Sequence, residues 1–413
     1  MLLVDDAKAN LDILVEGLKN EYKLSLALNG EMALQAAERM PPDLILLDII
    51  MPGIDGYEVC RRLRQKPETA EVPIIFLSSL EDVQNKARGF EAGANDYVTK
   101  PFDLIEVKVR VRSLLKAKAY NDSVKEQIAG ELRVAHEIQM GMIPRDFSAI
   151  EASYPIEVAA VLEPAREVGG DLFGVYPVGT DRIVAVLGDV SGKGIPAALF
   201  MVRTCSLVRL LARDIVEPEK ILARLNDELS EDNPSGMFVT MVCVIIEPKA
   251  RRVRLANAGQ CQPLLIHPGS PPTWAVKQLG TALGFESGLT YEGVEVQISP
   301  GDSLVFYTDG VIEAFNSQNE LYGNDRLVED LKKIVGQSAK DITGGILTHV
   351  RQFVEKAPQS DDIGILTLRL TGPSDNVVLS SSFHATPEEV MRAVEQMMNI
   401  GRERGVVVHF SSD

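Results

Sequence analysis

Over the first 115 residues, four short apolar runs alternate with helical patterns, and each run stops at a polar or charged residue. Met1 to Val4 leads into Asp5 and Asp6, and Leu44 to Leu47 into Asp48. Ile74 to Leu77 leads into Ser78, and the run from Asp96 to Val98 is followed by Lys100. Leu11 to Lys19, Glu31 to Met40 and Glu81 to Ala92 carry the helical spacing between them. Short continuous apolar strands separated by helices predict a parallel sheet covered on both faces, the doubly wound α/β arrangement. In such a sheet the C-terminal strand ends meet along one edge, where ligands bind. Asp5, Asp6, Asp48 and Lys100 are therefore expected together. The first strand has only four residues before its first acid, so the sequence reads as starting a few residues late.

Three neighbouring carboxylates repel one another unless a hard cation such as Mg²⁺ neutralises them, and oxygen ligands suit that ion. Asp48 can then attack a phosphoryl donor as a carboxylate nucleophile, with Lys100 and the Ser78 hydroxyl meeting the new phosphate oxygens. The runs LLVDD (2–6), LILLDIIMPGIDGYE (44–58), PIIFLSS (73–79) and DYVTKPF (96–102) resemble the response-regulator receiver family, over residues 1–116. The resemblance implies a flavodoxin-like fold and a sensor histidine kinase that phosphorylates Asp48. It also implies Mg²⁺ held by Asp5, Asp6, Asp48 and the Ile50 carbonyl, with Lys100 contacting the phosphate. Ser78 takes the switch-hydroxyl position and Tyr97 that of the aromatic switch. Ser79 stands where the family usually has Ala, a departure expected to act on dephosphorylation rate.

From Phe102 to about Met142 the pattern stays helical, with no proline and one glycine before the last turn (Gly130), until Ile143-Pro144 ends it. Val124, Ile128, Leu132, Ala135, Ile138 and Met142 form an apolar stripe at three- and four-residue steps. Two readings stand: a helix packed on its own domain, or a linker helix that pairs with a second copy in a short coiled coil and makes a homodimer.

Residues 156–371 change character. Strand-like runs dominate (Val158 to Leu162, Ile183 to Leu187, Met241 to Ile246, Val253 to Ala256, Ser303 to Tyr307, Gly364 to Leu370), with helices at Ala197 to Arg213 and Pro218 to Leu229. This predicts an α+β domain, sheet packed on sheet with helices outside. Four motifs put Asp beside small residues at strand ends: Glu167-Val-Gly-Gly-Asp171, Gly188-Asp189-Val-Ser-Gly192, Tyr307-Thr-Asp309-Gly310 and Ser360-Asp361-Asp362. Four acids with hardly any His or Cys nearby suit two hard ions, Mn²⁺ or Mg²⁺, rather than zinc. Such a pair acidifies a water and clamps a phosphoryl group for in-line attack, so no side-chain nucleophile is needed. Gly188 to Gly194 is not a P-loop: it has one residue too few between its glycines and Gly after Lys193.

The runs LRVAHEIQMGMIP (132–144), EPAREVGGDLFGV (163–175), VLGDVSGKGIPAALFM (186–201), NAGQCQPLLI (257–266), PGDSLVFYTDGVIEAFN (300–316) and SDDIGILTLRL (360–370) resemble the PPM-type serine/threonine protein phosphatases of the stage II sporulation protein E class. The resemblance implies an α/β/β/α sandwich and metal ligation by Asp171, Asp189, Asp309, Asp361 and the Val190 carbonyl, with Asp189 bridging. It puts Asp362 behind the ligands and leaves Arg166 as a cation that meets substrate phosphate or a surface partner. Gln260 stands where the family often has His. The helices from Gly194 to Leu229 correspond to a regulatory element beneath the Asp189 loop.

The formal charge of −17 disfavours nucleic acid and anionic lipid surfaces as partners. No helix-turn-helix pattern follows the first domain, no apolar run is long enough for a membrane span, and no leader-like segment opens the chain. Four cysteines without paired spacing agree with a cytoplasmic protein. After Gly372-Pro373-Ser374 come a strand (Val377 to Ser381), a helix opening at Thr386-Pro387 and a strand (Val406 to Phe410): an appendage, or the start of a further domain of the anti-sigma kinase kind. The expected division is a receiver at 1–116, a helical linker at 117–144, a phosphatase domain at 145–371 and a partial β-α-β segment at 372–413. The expected function is a phosphorylation-controlled response regulator. Its output would be metal-dependent dephosphorylation of phosphoserine or phosphothreonine on a protein, an anti-sigma factor antagonist in a partner-switching pathway. The alternative is a catalytically weak adaptor that sequesters a signalling partner.

Overall fold

The computed structural model describes residues 1–78, 88–276 and 280–372. The chain divides into two compact units, Met1–Glu131 and Leu132–Asp413.

In the first unit, β1 (Leu2–Val4), β2 (Ser25–Ala27), β3 (Ile45–Asp48), β4 (Ile74–Ser78) and β5 (Asp96–Thr99) form a parallel sheet in the order β2-β1-β3-β4-β5. Successive side chains along a strand point to opposite faces, so each strand feeds two cores. Leu2, Val4, Ile45, Leu47, Ile74 and Phe76 pack on one face with Ala33, Ala37, Val59 and Leu63 from the helices Gly30–Arg39 and Gly56–Arg64. Leu3, Leu46, Ile75, Leu77 and Val98 pack on the other with Leu11, Leu14 and Leu18 of the helix Lys8–Leu18, and with Val107 and Val111. Asn29 and Asp55 start two of these helices by accepting from the backbone N–H of Met32 and Glu58. The order reverses between β1 and β3, where β1 leads directly into Asp5 and β3 ends at Asp48.

One helix runs from Leu104 to Met142. Within the stripe, Val124, Ile128 and Ile138 are exposed, Ile138 by 62%. Leu132, Ala135 and Met142 are half-buried, whereas Gln139, Met140 and Ile143 are buried. Burial at this end therefore follows a different face from the stripe read in the sequence.

The second unit is a sandwich of two antiparallel five-stranded sheets with helices outside both. One sheet has the order β13-β10-β9-β8-β7, from β7 (Leu172–Val178), β8 (Arg182–Val190), β9 (Val239–Glu247), β10 (Arg252–Ala258) and β13 (Val294–Gln297). The other has the order β12-β11-β14-β15-β6, from β6 (Ile156–Glu163), β11 (Leu264–Ile266), β12 (Thr273–Trp274), β14 (Ser303–Tyr307) and β15 (Ile363–Leu370). Helices Ile195–Leu211 and Pro218–Ser230 cover the first sheet; Ala339–Val354 covers the second, with Gly323–Lys333 packed beside it. Along β14, Leu304 and Phe306 enter the main core with Leu366 and Leu368. Val305 and Tyr307 face the helix layer with Ile342, Ile346 and Val350. All six runs read as strands lie within observed strands. The strand at Leu172–Val178 was not read because Gly174 and Pro177 interrupt its alternation. The segment 372–413 lies outside the described residues beyond Gly372, as do Ser79, Leu80 and residues 81–87 of the expected helix Glu81 to Ala92.

Candidate functional site

The parallel sheet brings Asp5, Asp6 and Asp48 together, each offering a carboxylate oxygen within 4.8 Å of the others. Asp5 is fully buried and is held by Ala7 N–H (2.9 Å) and the Asn10 amide (2.9 and 3.0 Å). Asp6 is exposed, and Asp48 is nearly buried. The Lys100 ammonium lies 2.7 Å from Asp5 Oδ2 and 2.8 Å from Asp48 Oδ2. Burial pushes the Asp48 carboxyl above its ordinary range despite this partner. Burial also pulls on Lys100, but its hydrogen bonds to Asp48 and Asp5 outweigh that and raise it. Both partners of one ion pair thus move upward: burial dominates at the carboxylate, the two negative neighbours at the ammonium. Ile50 donates its N–H to Asp48 Oδ1 at 3.4 Å. Ser78 ends the next strand and is buried, and Tyr97 lies edge-on to Phe90 on β5.

In the second unit the antiparallel pairing gathers acids from strand beginnings and strand ends alike. Asp171 precedes β7, Asp189 lies one residue before the end of β8, Asp309 opens the short helix after β14, and Asp361 lies just before β15. Asp171 is buried and accepts from Thr308 Oγ1 at 2.7 Å. Burial and the neighbouring Asp189 push its carboxyl well up. Asp189 is pushed up to about 7 by burial and then by the charges of Asp309 and Asp361, and it hydrogen-bonds Asp171. Asp309 is raised by burial, Glu313 and Asp361. Among the described residues these four do not form a set of three with oxygens within 4.8 Å, as the receiver acids do.

Asp362 is engaged with backbone instead. Its Oδ1 accepts from Ala165 N–H (2.7 Å) and its Oδ2 from Gly170 N–H (2.6 Å), so it fixes the loop that leads to Asp171. The approach is close enough that a Cβ at Gly169 would collide with the Asp362 carboxylate, and one at Gly310 with the Asp362 carbonyl. Arg166 is exposed and takes part in no ion pair among the described residues. Gln260 is buried in the turn after β10, its N–H bonded to Asn257 Oδ1 at 2.8 Å.

Sequence reasoning missed four residues here. Lys193, dismissed with the P-loop, places its ammonium 2.8 Å from Asp361 Oδ2 and 2.7 Å from the Ser360 carbonyl. Thr308 has just been placed on Asp171. Gln139 and His136, on the end of the long helix, bond the loop before Asp171: Gln139 Nε2 donates to the Gly169 carbonyl (2.6 Å), Gly169 N–H donates to Gln139 Oε1 (3.2 Å), and His136 Nδ1 meets the Glu167 carbonyl (2.7 Å). A Gln standing off the apolar stripe was the signal for the first of these.

Both donor sets fit divalent metal. In the receiver, three oxygens converge and one ammonium balances only part of their charge. In the sandwich, the buried Asp171 carboxyl touches the half-buried Asp189 one, both raised, and the cation in reach pairs with Asp361. All-oxygen, acid-rich surroundings of this kind favour hard ions.

Comparison with known proteins agrees with this geometry. Residues 1–112 match the family described as response regulator receiver domain, and residues 179–371 match stage II sporulation protein E (SpoIIE). Response regulator PleD of Caulobacter vibrioides is 40% identical over 135 residues, 32% of this chain and 30% of that protein. The regulator RpaA of Synechocystis is 36% identical over 151 residues, 36% of this chain and 61% of that protein. The chain thus spans under two thirds of the length of either relative. The SiaA-PP2C domain of Pseudomonas aeruginosa shares the fold of the second unit, with a TM-score of 0.54 and 21% identity over 60% of this chain and 98% of that one. The chain joins a response-regulator receiver domain to a PP2C-type domain of the stage II sporulation protein E family.

Proposed function

We propose that this chain is a response regulator whose output is phosphoester hydrolysis on a protein. One observation carries the reading: a phosphoacceptor-like Asp48 beside Lys100, and a second acid cluster of phosphatase type, occur in the same chain. The division 1–116, 117–144, 145–371 goes with it, as does a cytoplasmic location. No described helix is long and apolar enough to cross a membrane.

In the receiver, Asp48 takes the phosphoryl group from a sensor histidine kinase. Asp5, Asp6, Asp48 and the Ile50 carbonyl hold Mg²⁺, and Lys100 is close enough to follow the new charge. Ser78 and Tyr97 relay the change. In the sandwich, Asp171, Asp189, Asp309, Asp361 and the Val190 carbonyl hold Mn²⁺ or Mg²⁺, which supplies an acidified water and neutralises the phosphoryl oxygens. Asp362 holds the Asp171 loop, and the exposed Arg166 is free to meet a substrate phosphate. The substrate class is phosphoserine or phosphothreonine on a protein, an anti-sigma factor antagonist. The exposed Val124, Ile128 and Ile138 support a helix that pairs with its twin.

Hydrolysis of p-nitrophenyl phosphate with Mn²⁺ tests the reading. The expected result is activity that is lost on Asp189→Asn and in EDTA. An inert wild type that nevertheless binds a signalling partner would be the adaptor instead. Sedimentation of Ile128→Lys/Leu132→Lys tests the pairing: monomers support it, and a wild type monomeric with and without phosphate on Asp48 removes it.

A further inference from the structure

We infer that Gln139 is a positioning residue for the metal site, setting the backbone from which Asp171 projects; this rests on Asp171 being a ligand. Gln139 is 2% exposed at the end of a helix whose apolar stripe lies elsewhere. Burying a side-chain amide is costly unless its donor and acceptor are both used. Here both are used on one residue: the amide nitrogen donates to the Gly169 carbonyl, and the amide oxygen accepts the Gly169 N–H. The pair copies the two-bond exchange of facing residues in an antiparallel ladder, so it fixes orientation as well as distance.

The other side of the loop is fixed by Asp362, through Ala165 N–H and Gly170 N–H. Gly169 is gripped between the two and has no room for a side chain. Asp171 follows two residues later, with its carboxylate against Thr308 and Asp189. Gly170 lies against the Val190 carbonyl, 2.7 Å from where its Cβ would be. A shift of Gly169 therefore moves Asp171 relative to Asp189 and Val190 together. His136 lies three residues before Gln139, on the same helix face, and grips the Glu167 carbonyl. The helix thus holds the loop at two points of one ridge, and its register sets the spacing of the ligands.

The test uses the full chain with Asp48→Asn, which weakens the receiver site, and follows Mn²⁺ binding by electron paramagnetic resonance of the free ion. Gln139→Met keeps the length and removes both bonds. The expected result is a rise of about tenfold or more in the Mn²⁺ concentration for half-saturation, as for loss of a group that orients a ligand. Hydrolysis of p-nitrophenyl phosphate should show the same shift in metal demand. At saturating Mn²⁺ its kcat should recover and its KM for the ester stay unchanged. An unchanged Mn²⁺ isotherm in folded Gln139→Met overturns the inference, as does a lost kcat that Mn²⁺ does not restore. Should Gln139→Met fail to fold, His136→Ala at the half-buried position decides, with a raised half-saturating Mn²⁺ concentration in its favour and an unchanged one against it. A wild type that binds Mn²⁺ but hydrolyses nothing would defeat the proposed enzyme, while the isotherms would still judge Gln139.

Discussion

The two acid clusters of this chain differ in where their positive charge comes from. In the receiver, one lysine sits between two buried carboxylates, at 2.7 and 2.8 Å, and carries its charge into the site from the end of the edge strand β5. In the sandwich, Asp171 and Asp189 touch one another, while Lys193 at the rim pairs with Asp361. The first site is partly balanced by the protein and is suited to gain a phosphoryl group. The second holds one buried and three half-buried acids, with Asp189 pushed up to about 7, and is suited to an external cation. Carboxylates near strand ends do not by themselves define a chemistry; the reach of the nearest ammonium sets how much of their charge is left for a bound ion to balance.

Removing acids from each site should separate them most strongly. Asp171→Ala, Asp189→Ala, Asp309→Ala and Asp361→Ala should each lower Mn²⁺-dependent turnover by about a hundredfold or more, because a two-ion arrangement fails when either ion is lost. In the full chain, Asp48→Ala should abolish labelling by a small phosphodonor with Mg²⁺ but leave the unstimulated ester hydrolysis within a few-fold. Lys100→Ala should keep some labelling and lose its effect on output. Equal losses of hydrolysis from both clusters would erase the distinction.

Asp362→Asn should have an intermediate effect. Because both carboxylate oxygens accept backbone N–H groups, an amide would turn one buried donor against another, costing about 1–3 kcal/mol. The sequence alone suggests a milder role for Asp362; its two backbone bonds make the substitution a structural one, read as a lower Tm together with a raised metal requirement.

Protons should compete with metal in the second site. A carboxyl raised to about 7 in the folded chain favours folding while protonated, so its contribution is complete below the ordinary carboxylate range, near pH 4, and is lost as pH rises through 7. The metal-free second domain should therefore melt lower at pH 8 than at pH 6, and Mn²⁺ should raise its Tm more at pH 8. Calorimetry with and without Mn²⁺ reads this directly. The smallest expected effect is at Lys193. The ion pair is part-exposed, so Lys193→Ala should lower the half-saturating Mn²⁺ by only about two- to fivefold, since the ion no longer displaces an ammonium from Asp361. A rise instead would mean that Lys193 helps hold the ligand in place.

The receiver fold was legible because its strands are buried on both faces and read as unbroken apolar runs, as Ile45 to Leu47 do between helices. Its short edge strand Ser25–Ala27 was not, because an exposed Leu26 between small residues gives no pattern. In the sandwich, β14 was read to its ends, but the edge strands Thr273–Trp274 and Val294–Gln297 are too short and too exposed to stand out. The acids could be picked out because Asp beside small residues, next to an apolar strand run, is a local signal. Gln139, His136, Thr308 and Lys193 act across 30 to 168 positions of sequence, and no spacing announces a contact made only by folding.

The measurement that bears most directly on the joined function is ester hydrolysis by the full-length chain, with Mn²⁺, before and after phosphorylation of the receiver. The account predicts a change in kcat on phosphorylation of the wild type and none in Asp48→Ala. An identical rate in both states of the wild type, with stoichiometric phosphate on Asp48, would contradict control of the second site by the first.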